Sequence, residues 1–266
     1  MRFPWSTAVR TSLPVTGDAV TERLERKCHV PESRLLLATH LLRHCCRPDP
    51  QYRGGTITSL YLDTAELRHF HDSEQGNHDR QKVRIRWYDT PSAGATEVPV
   101  YLEVKSRRGA LGSKRRSRHL VSAAALDPRR WWQGILPSHE LSGWLAGLGY
   151  RSEAVLEPVL VVTYRRERFI EIQTGARLSL DQGIRARLVS PRLDRGEGWL
   201  QMAGGVLEIK GRAAELPTTL RSLRFLGLDQ GRYSKYATSL AALLDDPGSM
   251  GRSSPSGRLH DFSTEP

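Results

Sequence analysis

The chain has 266 residues, of which 38% are hydrophobic, enough for one sizeable core. Forty lysines and arginines against 29 acidic residues give a formal charge of +11, which indicates a polyanionic partner. No apolar run reaches the ~18 residues of a membrane span, and the first residues, MRFPWSTAVR, lack the apolar core of a signal peptide. The three cysteines, Cys28, Cys45 and Cys46, lack CxxC spacing, which favours a reducing cytoplasm.

We expect one folded unit over residues 21–245, flanked by flexible segments at 1–20 and 246–266 that are rich in breakers and lack periodicity. The hydrophobic pattern predicts eight strands and several short helices. In chain order the strands are expected at 22–30, 56–62, 80–88, 98–105, 114–121, 156–172, 176–188 and 206–210. The helices are expected at 31–46, 63–72, 217–226 and 234–244, with a short helical excursion within 123–149.

The stretch from 80 to 105 is the most informative part of the chain. Polar or cationic residues alternate with apolar ones there with a period of two, which is typical of strands. The alternating cations are Lys82, Arg84 and Arg86. After a turn-forming segment, Glu103 and Lys105 share one face of the next strand. An antiparallel pair with this much charge on one face requires an anionic partner.

The same Glu-x-Lys unit occurs on three strands, at Glu25–Lys27, Glu103–Lys105 and Glu208–Lys210. One such unit is usually an ordinary solvent-facing pair, because residues i and i+2 of a strand project to the same side. Three of them, flanked by alternating arginines, indicate an enclosed cationic surface. We therefore predict an α+β fold in which an antiparallel eight-stranded barrel forms a charged tunnel, with helices outside it.

Nucleic acid is a poor fit for this surface, because no aromatic residues are interleaved with the basic ones for base stacking. A transition-metal site at His69, His71 and His78 is also disfavoured, since two of these histidines lie on different faces of a short helix.

At these residues the chain resembles the VTC domain family of polyphosphate polymerases, a branch of the triphosphate tunnel metalloenzymes, which also include the CYTH phosphatases. The matching stretches run in family order and cover nearly the whole expected folded unit. They are ERK (25–27), SLYLDT (59–64), RQKVRIRWY (80–88), YLEVK (101–105), SKRR (113–116), PVLVVTYRRERF (158–169), RLSLD (177–181), VLEIK (206–210) and RYSKY (232–236).

The resemblance implies an enzyme that transfers the γ-phosphoryl group of ATP to a growing polyphosphate chain, with Mn²⁺ or Mg²⁺. The implied metal ligand is Glu208, and the implied catalytic residues are Lys27, Arg84, Arg86, Lys105 and Glu208. The implied phosphate-binding residues are Lys114, Arg116, Arg166, Arg177, Lys210, Arg232, Ser234 and Lys235.

Two other functions remain open from the sequence: a triphosphatase of the CYTH class, and a non-catalytic polyphosphate-binding module. The expected location is the cytoplasm. A separate membrane partner is compatible with the resemblance and would place the protein at the inner face of a membrane. Nothing before residue 20 resembles the SPX sensor of the eukaryotic polymerases, so regulation through that sensor is not implied.

Overall fold

The structure is a computed structural model that describes residues 24–245, except 53, 90–93, 110, 152–153, 194–197, 212–216 and 231–232. The terminal segments expected at 1–20 and 246–266 lie outside the described residues.

The structure has eleven strands among the described residues. They are β1 (Leu24–Val30), β2 (Cys46–Pro48), β3 (Gly54–Asp63), β4 (Asp79–Tyr88), β5 (Glu97–Arg108), β6 (Leu111–Ser122), β7 (Glu157–Glu171), β8 (Arg177–Leu188), β9 (Leu200–Gln201), β10 (Gly205–Gly211) and β11 (Asp229–Gln230). The eight predicted strands begin and end close to their predicted bounds, whereas β2, β9 and β11 were not predicted. The α-helices are α1 (Leu35–Cys45), α2 (Arg68–Glu74), α3 (Ser138–Gly147) and α4 (Lys235–Asp245). Short 3₁₀ helices lie at Glu32–Arg34, Ala123–Leu126, Pro128–Gln133 and Thr218–Leu226.

All strands belong to one antiparallel sheet with the order β11-β1-β10-β8-β7-β3-β4-β5-β6, and β2 and β9 pair with β7 and β8. The predicted α+β fold with flanking helices is confirmed. The predicted closure of the sheet is wrong for the described residues, because no ladder joins β6 to β1 or β11. The edge strand β6 carries Lys114, Arg115, Arg116 and Arg118, and cationic side chains on an edge disfavour further pairing.

The outer face of the sheet is apolar and is covered by the segment from 123 to 147. Val83, Ile85 and Trp87 are buried there, as their alternation with cations predicts. Trp131 packs against Trp87 with ring centroids 5.7 Å apart. The helical excursion thus holds the strands in position from outside and leaves the opposite face to the charged residues.

Helix α4 packs against the inner face of the sheet rather than outside it. Tyr236 stacks on Tyr61 of β3 with ring centroids 4.9 Å apart. Its hydroxyl donates to the buried carboxylate of Asp63 at 2.5 Å. Residues on β7 and β8, including Val162 and Ala186, complete this apolar contact. One end of the inner face is therefore filled by a helix.

The segment Thr218–Leu226, predicted as an amphipathic helix, is a 3₁₀ helix. Leu220, Leu223 and Leu226 are its buried residues, and their spacing of three matches the three residues per turn of a 3₁₀ helix. Among the described helices, none is long and apolar enough to cross a membrane.

Candidate functional site

The strand register places the charged residues of the first half of the site on one face. Glu25 and Lys27 of β1 lie directly opposite Lys210 and Glu208 of β10. Directly opposite residues of an antiparallel pair project to the same side. The same register continues onto β8, where Ser179 faces Glu208 and Arg177 faces Lys210. It then reaches β7, where Arg166 lies opposite Asp181.

The second half of the site is built from β4, β5 and β6. Arg84 lies opposite Glu103, which lies opposite Arg116. Lys82, Lys105 and Lys114 form a parallel row on the same face. The predicted alternation of cations along residues 82 to 86 therefore places all of them on the inner side.

These two halves face each other, although five strands separate β1 from β5 in the sheet order. Burial lowers the pKa of Lys105, and this lysine is within electrostatic range of Glu25, Lys27 and Glu208 on β1 and β10. Such interactions between distant strands require a strongly curved sheet. The charged residues therefore converge in one concave space, even though the hydrogen-bonded ladder stays open.

Glu103 is the charge centre of the second half. It is 1% exposed, and its carboxylate lies 2.6 Å from Arg84, 2.7 Å from Lys114 and 3.8 Å from Arg86. Burial alone would raise its pKa, but Arg84 and Arg86 lower the pKa of Glu103 well below its usual range. The ionised carboxylate of Glu103 therefore lies against cations of the site.

Asp181 has the same role in the first half. It is fully buried and accepts two hydrogen bonds from Arg166, at 2.5 and 2.7 Å. Lys235 lies 2.5 Å from Oδ2, the oxygen that also accepts from Nη2 of Arg166. Burial opposes the charge, but Lys235 and Arg166 hold the pKa of Asp181 below its usual value.

Arg86 is held by neutral partners as well as by Glu103. Its Nε donates to the Ser59 hydroxyl at 3.1 Å and its Nη2 to the Tyr164 hydroxyl at 3.3 Å. A buried guanidinium fixed from three sides presents its charge in one orientation. That preorganisation suits a fork onto an anionic oxygen.

Glu208 and Glu25 are adjacent carboxylates, and they are the candidate ligands for a divalent ion. Lys210 pairs with Glu208 at 2.8 Å, and Lys27 pairs with Glu25 at 3.0 Å. Burial would raise the pKa of Glu208, but Lys210 and the neighbouring Glu25 lower it below its usual range. No cluster of three or more metal-binding side chains occurs among the described residues. Two carboxylates fit an oxygen-preferring cation only if bound phosphates supply its other ligands.

The first turn of α4 brings two further groups into the site. Ser234 accepts a hydrogen bond from the Lys82 ammonium at 2.7 Å, and Lys235 lies 4.7 Å from the Tyr164 ring as well as beside Asp181. Lys82 was not among the predicted site residues. Its place in the alternation with Arg84 and Arg86 was the signal that could have identified it.

We use the name inner cluster for the cations and carboxylates that share this face. Its cations are Lys27, Lys82, Arg84, Arg86, Lys105, Lys114, Arg166, Lys210 and Lys235, and its carboxylates are Glu25, Glu103, Asp181 and Glu208. Nine cations face four carboxylates, which leaves an excess of about five positive charges at neutral pH. Such an excess is suited to binding a triphosphate group.

The other predicted site residues lie outside the inner cluster. Arg116 and Arg177 are on the same inner face but are exposed to solvent. Arg232 lies outside the described residues. His69 is buried, with a ring nitrogen 3.1 Å from the Tyr150 hydroxyl and a backbone NH that donates to Asp63.

Comparison with known proteins yields one family match. The model of the VTC domain matches residues 22–244. No curated protein matches the chain.

Two solved structures align with most of this chain. The first, from Bacillus halodurans, is described as "a putative adenylate cyclase"; it has 16% identity and a TM-score of 0.43, over 79% of this chain and 92% of that one. The second, from Vibrio parahaemolyticus, has the same description, with 12% identity and a TM-score of 0.39 over 82% of this chain and 97% of that one. Neither likeness is close enough to support an argument about function.

The antiparallel sheet and its cation-lined inner face are those of the triphosphate tunnel class. Within this class, the match over residues 22–244 shows that the chain belongs to the VTC domain family.

Proposed function

We propose that the protein is a metal-dependent polyphosphate polymerase, which transfers the γ-phosphoryl group of ATP to the end of a growing polyphosphate chain. The observation that carries this proposal is the way the four carboxylates of the inner cluster are used. Glu103 and Asp181 are almost fully buried against their cations, whereas the side chains of the adjacent Glu208 and Glu25 are 11% and 32% exposed and are open to a metal. A hydrolase that orients an attacking water is expected to present more free carboxylates.

The proposed reaction needs little covalent work from the protein. An oxygen of the terminal phosphate of the chain attacks the γ-phosphorus of ATP, the bond to the β–γ bridging oxygen breaks, and ADP leaves. The polymer is then one phosphate longer. Positioning and charge neutralisation are the main contributions that an enzyme can make to such a transfer.

The residues of the inner cluster supply both contributions. Arg84 and Arg86 have fixed guanidinium groups that can fork onto phosphate oxygens, and Lys105 acts as a point charge from the neighbouring strand. Lys27 and Lys210 lie across the concave space. A divalent ion held by Glu208 and Glu25 would neutralise part of the phosphate charge.

An extension assay tests the proposal directly. The protein is incubated with ATP, Mn²⁺ or Mg²⁺ and a short polyphosphate primer, and we expect the primer to lengthen with stoichiometric formation of ADP. Release of free phosphate without longer chains would replace the polymerase with a triphosphatase of the CYTH class. Binding without any turnover would leave a polyphosphate-binding module.

We further propose that the protein acts in the cytoplasm and that any attachment to a membrane comes from a separate partner. The family resemblance and the proposed use of ATP are compatible with this arrangement.

The pH dependence of phosphate binding follows from Lys82. Burial, together with the smaller effect of the nearby Lys27 and Lys105, lowers the pKa of Lys82 to about 8. Because only the protonated ammonium attracts phosphate, we expect the affinity for tripolyphosphate to fall as the pH rises from 7 to 9. Titration calorimetry at several pH values measures this change.

The variant Lys82→Arg is the matched control, because a guanidinium keeps its charge over this range. Between pH 7 and pH 9, the affinity of this variant for tripolyphosphate should fall less than the affinity of the natural protein does. The pKa of Lys114 is also lowered to about 8, mainly by burial. Lys114 is a weaker candidate for the titrating group, because its side chain is 46% exposed and pairs with Glu103. An unchanged pH dependence in Lys82→Arg would exclude Lys82 as the titrating group.

A further inference from the structure

A group of arginines and tyrosines, most of them exposed to solvent, lies on the inner face beyond the inner cluster. We call Arg116, Arg118, Arg168, Tyr52, Tyr88 and Tyr101 the arginine rim. Its members form two contacting sets: Arg168 lies 6.0 Å from the Tyr52 ring, and the Tyr101 ring lies 5.6 Å from the Tyr88 ring and 5.2 Å from Arg116. Arg118 is directly opposite Tyr101 in the ladder of β5 and β6.

The rim differs from the inner cluster in its charge balance. Within the described part of the chain, Arg116, Arg118 and Arg168 form no ion pair. Seven cations of the inner cluster do form ion pairs on this face: Lys27, Arg84, Arg86, Lys114, Arg166, Lys210 and Lys235. Burial and the neighbouring Arg166 lower the pKa of Arg168, as expected of a cation that lacks an adjacent anion. The rim therefore has positive charge that no described carboxylate neutralises.

The position of the rim relative to α4 is informative. Ser234 at the start of α4 contacts Lys82 at one end of the charged stretch of β4, and Tyr88 lies six residues further along this strand. That separation is about 20 Å in an extended strand. Helix α4 fills the end of the inner face near Lys82. A polyphosphate chain that is longer than the inner cluster therefore extends toward the rim.

We propose that the arginine rim binds the polymeric part of a polyphosphate chain, beyond the phosphates that the inner cluster holds. This inference rests on the proposed function for the identity of the polymer. The three guanidinium groups contact different phosphates along the chain, and the tyrosine rings hold two of these arginines in position through cation–π contacts. The site thereby distinguishes a long polyanion from a triphosphate.

The test compares binding of tripolyphosphate and long-chain polyphosphate, without ATP or metal, at one fixed salt concentration. In the triple variant Arg116→Ser, Arg118→Ser, Arg168→Ser, we expect long-chain affinity to fall about tenfold or more, since each exposed contact is modest and several act together. Tripolyphosphate affinity should change by less than about twofold.

The matched control removes three charges from exposed arginines outside the rim: Arg34→Ser, Arg47→Ser, Arg165→Ser. It should leave the preference for the long chain unchanged. An equal loss for both probes in the rim variant, or no loss for either, would overturn the proposal. The result is separable from the polymerase proposal, because binding is measured without turnover: a protein that binds long chains at the rim but extends no primer contradicts only the polymerase.

Discussion

Replacing Glu208 with alanine is expected to abolish metal-dependent turnover while phosphate binding persists. This carboxylate and Glu25 are the candidate metal ligands, and removing one of only two leaves the ion with too few protein oxygens. Because metal neutralisation of phosphate contributes several kcal/mol to the transition state, kcat should fall by roughly 100-fold or more. The extension assay with Mn²⁺ measures this loss.

A measurement of tripolyphosphate binding distinguishes the loss of a metal ligand from general damage to the site. Glu208 pairs with Lys210 at 2.8 Å and lies 3.7 Å from Arg166, so its removal frees Lys210 for the ligand and takes a negative charge away from Arg166. Tripolyphosphate affinity in the absence of metal should therefore stay the same or increase. Glu97→Ala, at an exposed position at the start of β5, is the control and should alter neither quantity. Full activity of Glu208→Ala would refute the metal assignment.

The second large effect is expected for Glu103→Gln, and it concerns stability. The substitution keeps the shape but removes the negative charge that three cations surround at a site that is 1% exposed. Breaking a buried ionic group by removing one partner costs ~3 to 5 kcal/mol, because the remaining charges stay buried without compensation. Denaturant unfolding should show this loss in free energy of unfolding.

The bound polyanion should offset part of that loss. Phosphate oxygens can take over the partners Arg84 and Lys114, so tripolyphosphate should raise the melting temperature of Glu103→Gln more than that of the natural protein. Glu167→Gln is the control, since Glu167 pairs with the exposed Arg43 at 3.0 Å and surface pairs contribute ~1 kcal/mol or less. A variant as stable as the natural protein would show that Glu103 does not organise the cations.

Much of the fold is predictable because strands have a strict period of two. The alternation of Lys82, Arg84 and Arg86 with apolar residues, and the three Glu-x-Lys units, correctly predict which side chains share the inner face. These are local properties, and each strand determines them for itself.

The remaining features depend on contacts between distant segments. The burial of Glu103 among three cations follows from strand order, and the entry of α4 into the concave face follows from the bond between Tyr236 and Asp63. The hydrogen bond from Lys82 to Ser234 joins residues 152 positions apart. The two-residue strands β9 and β11 are too short to have a periodic pattern.

A crystal structure with a non-hydrolysable ATP analogue and Mn²⁺ is the most direct test of the idea that cations from separate strands act on one triphosphate. We predict phosphate oxygens within hydrogen-bonding distance of Lys27, Arg84, Arg86, Lys105 and Lys210, with the metal between the phosphates and Glu208. Triphosphate bound on the outer face of the sheet, away from these side chains, would contradict the account.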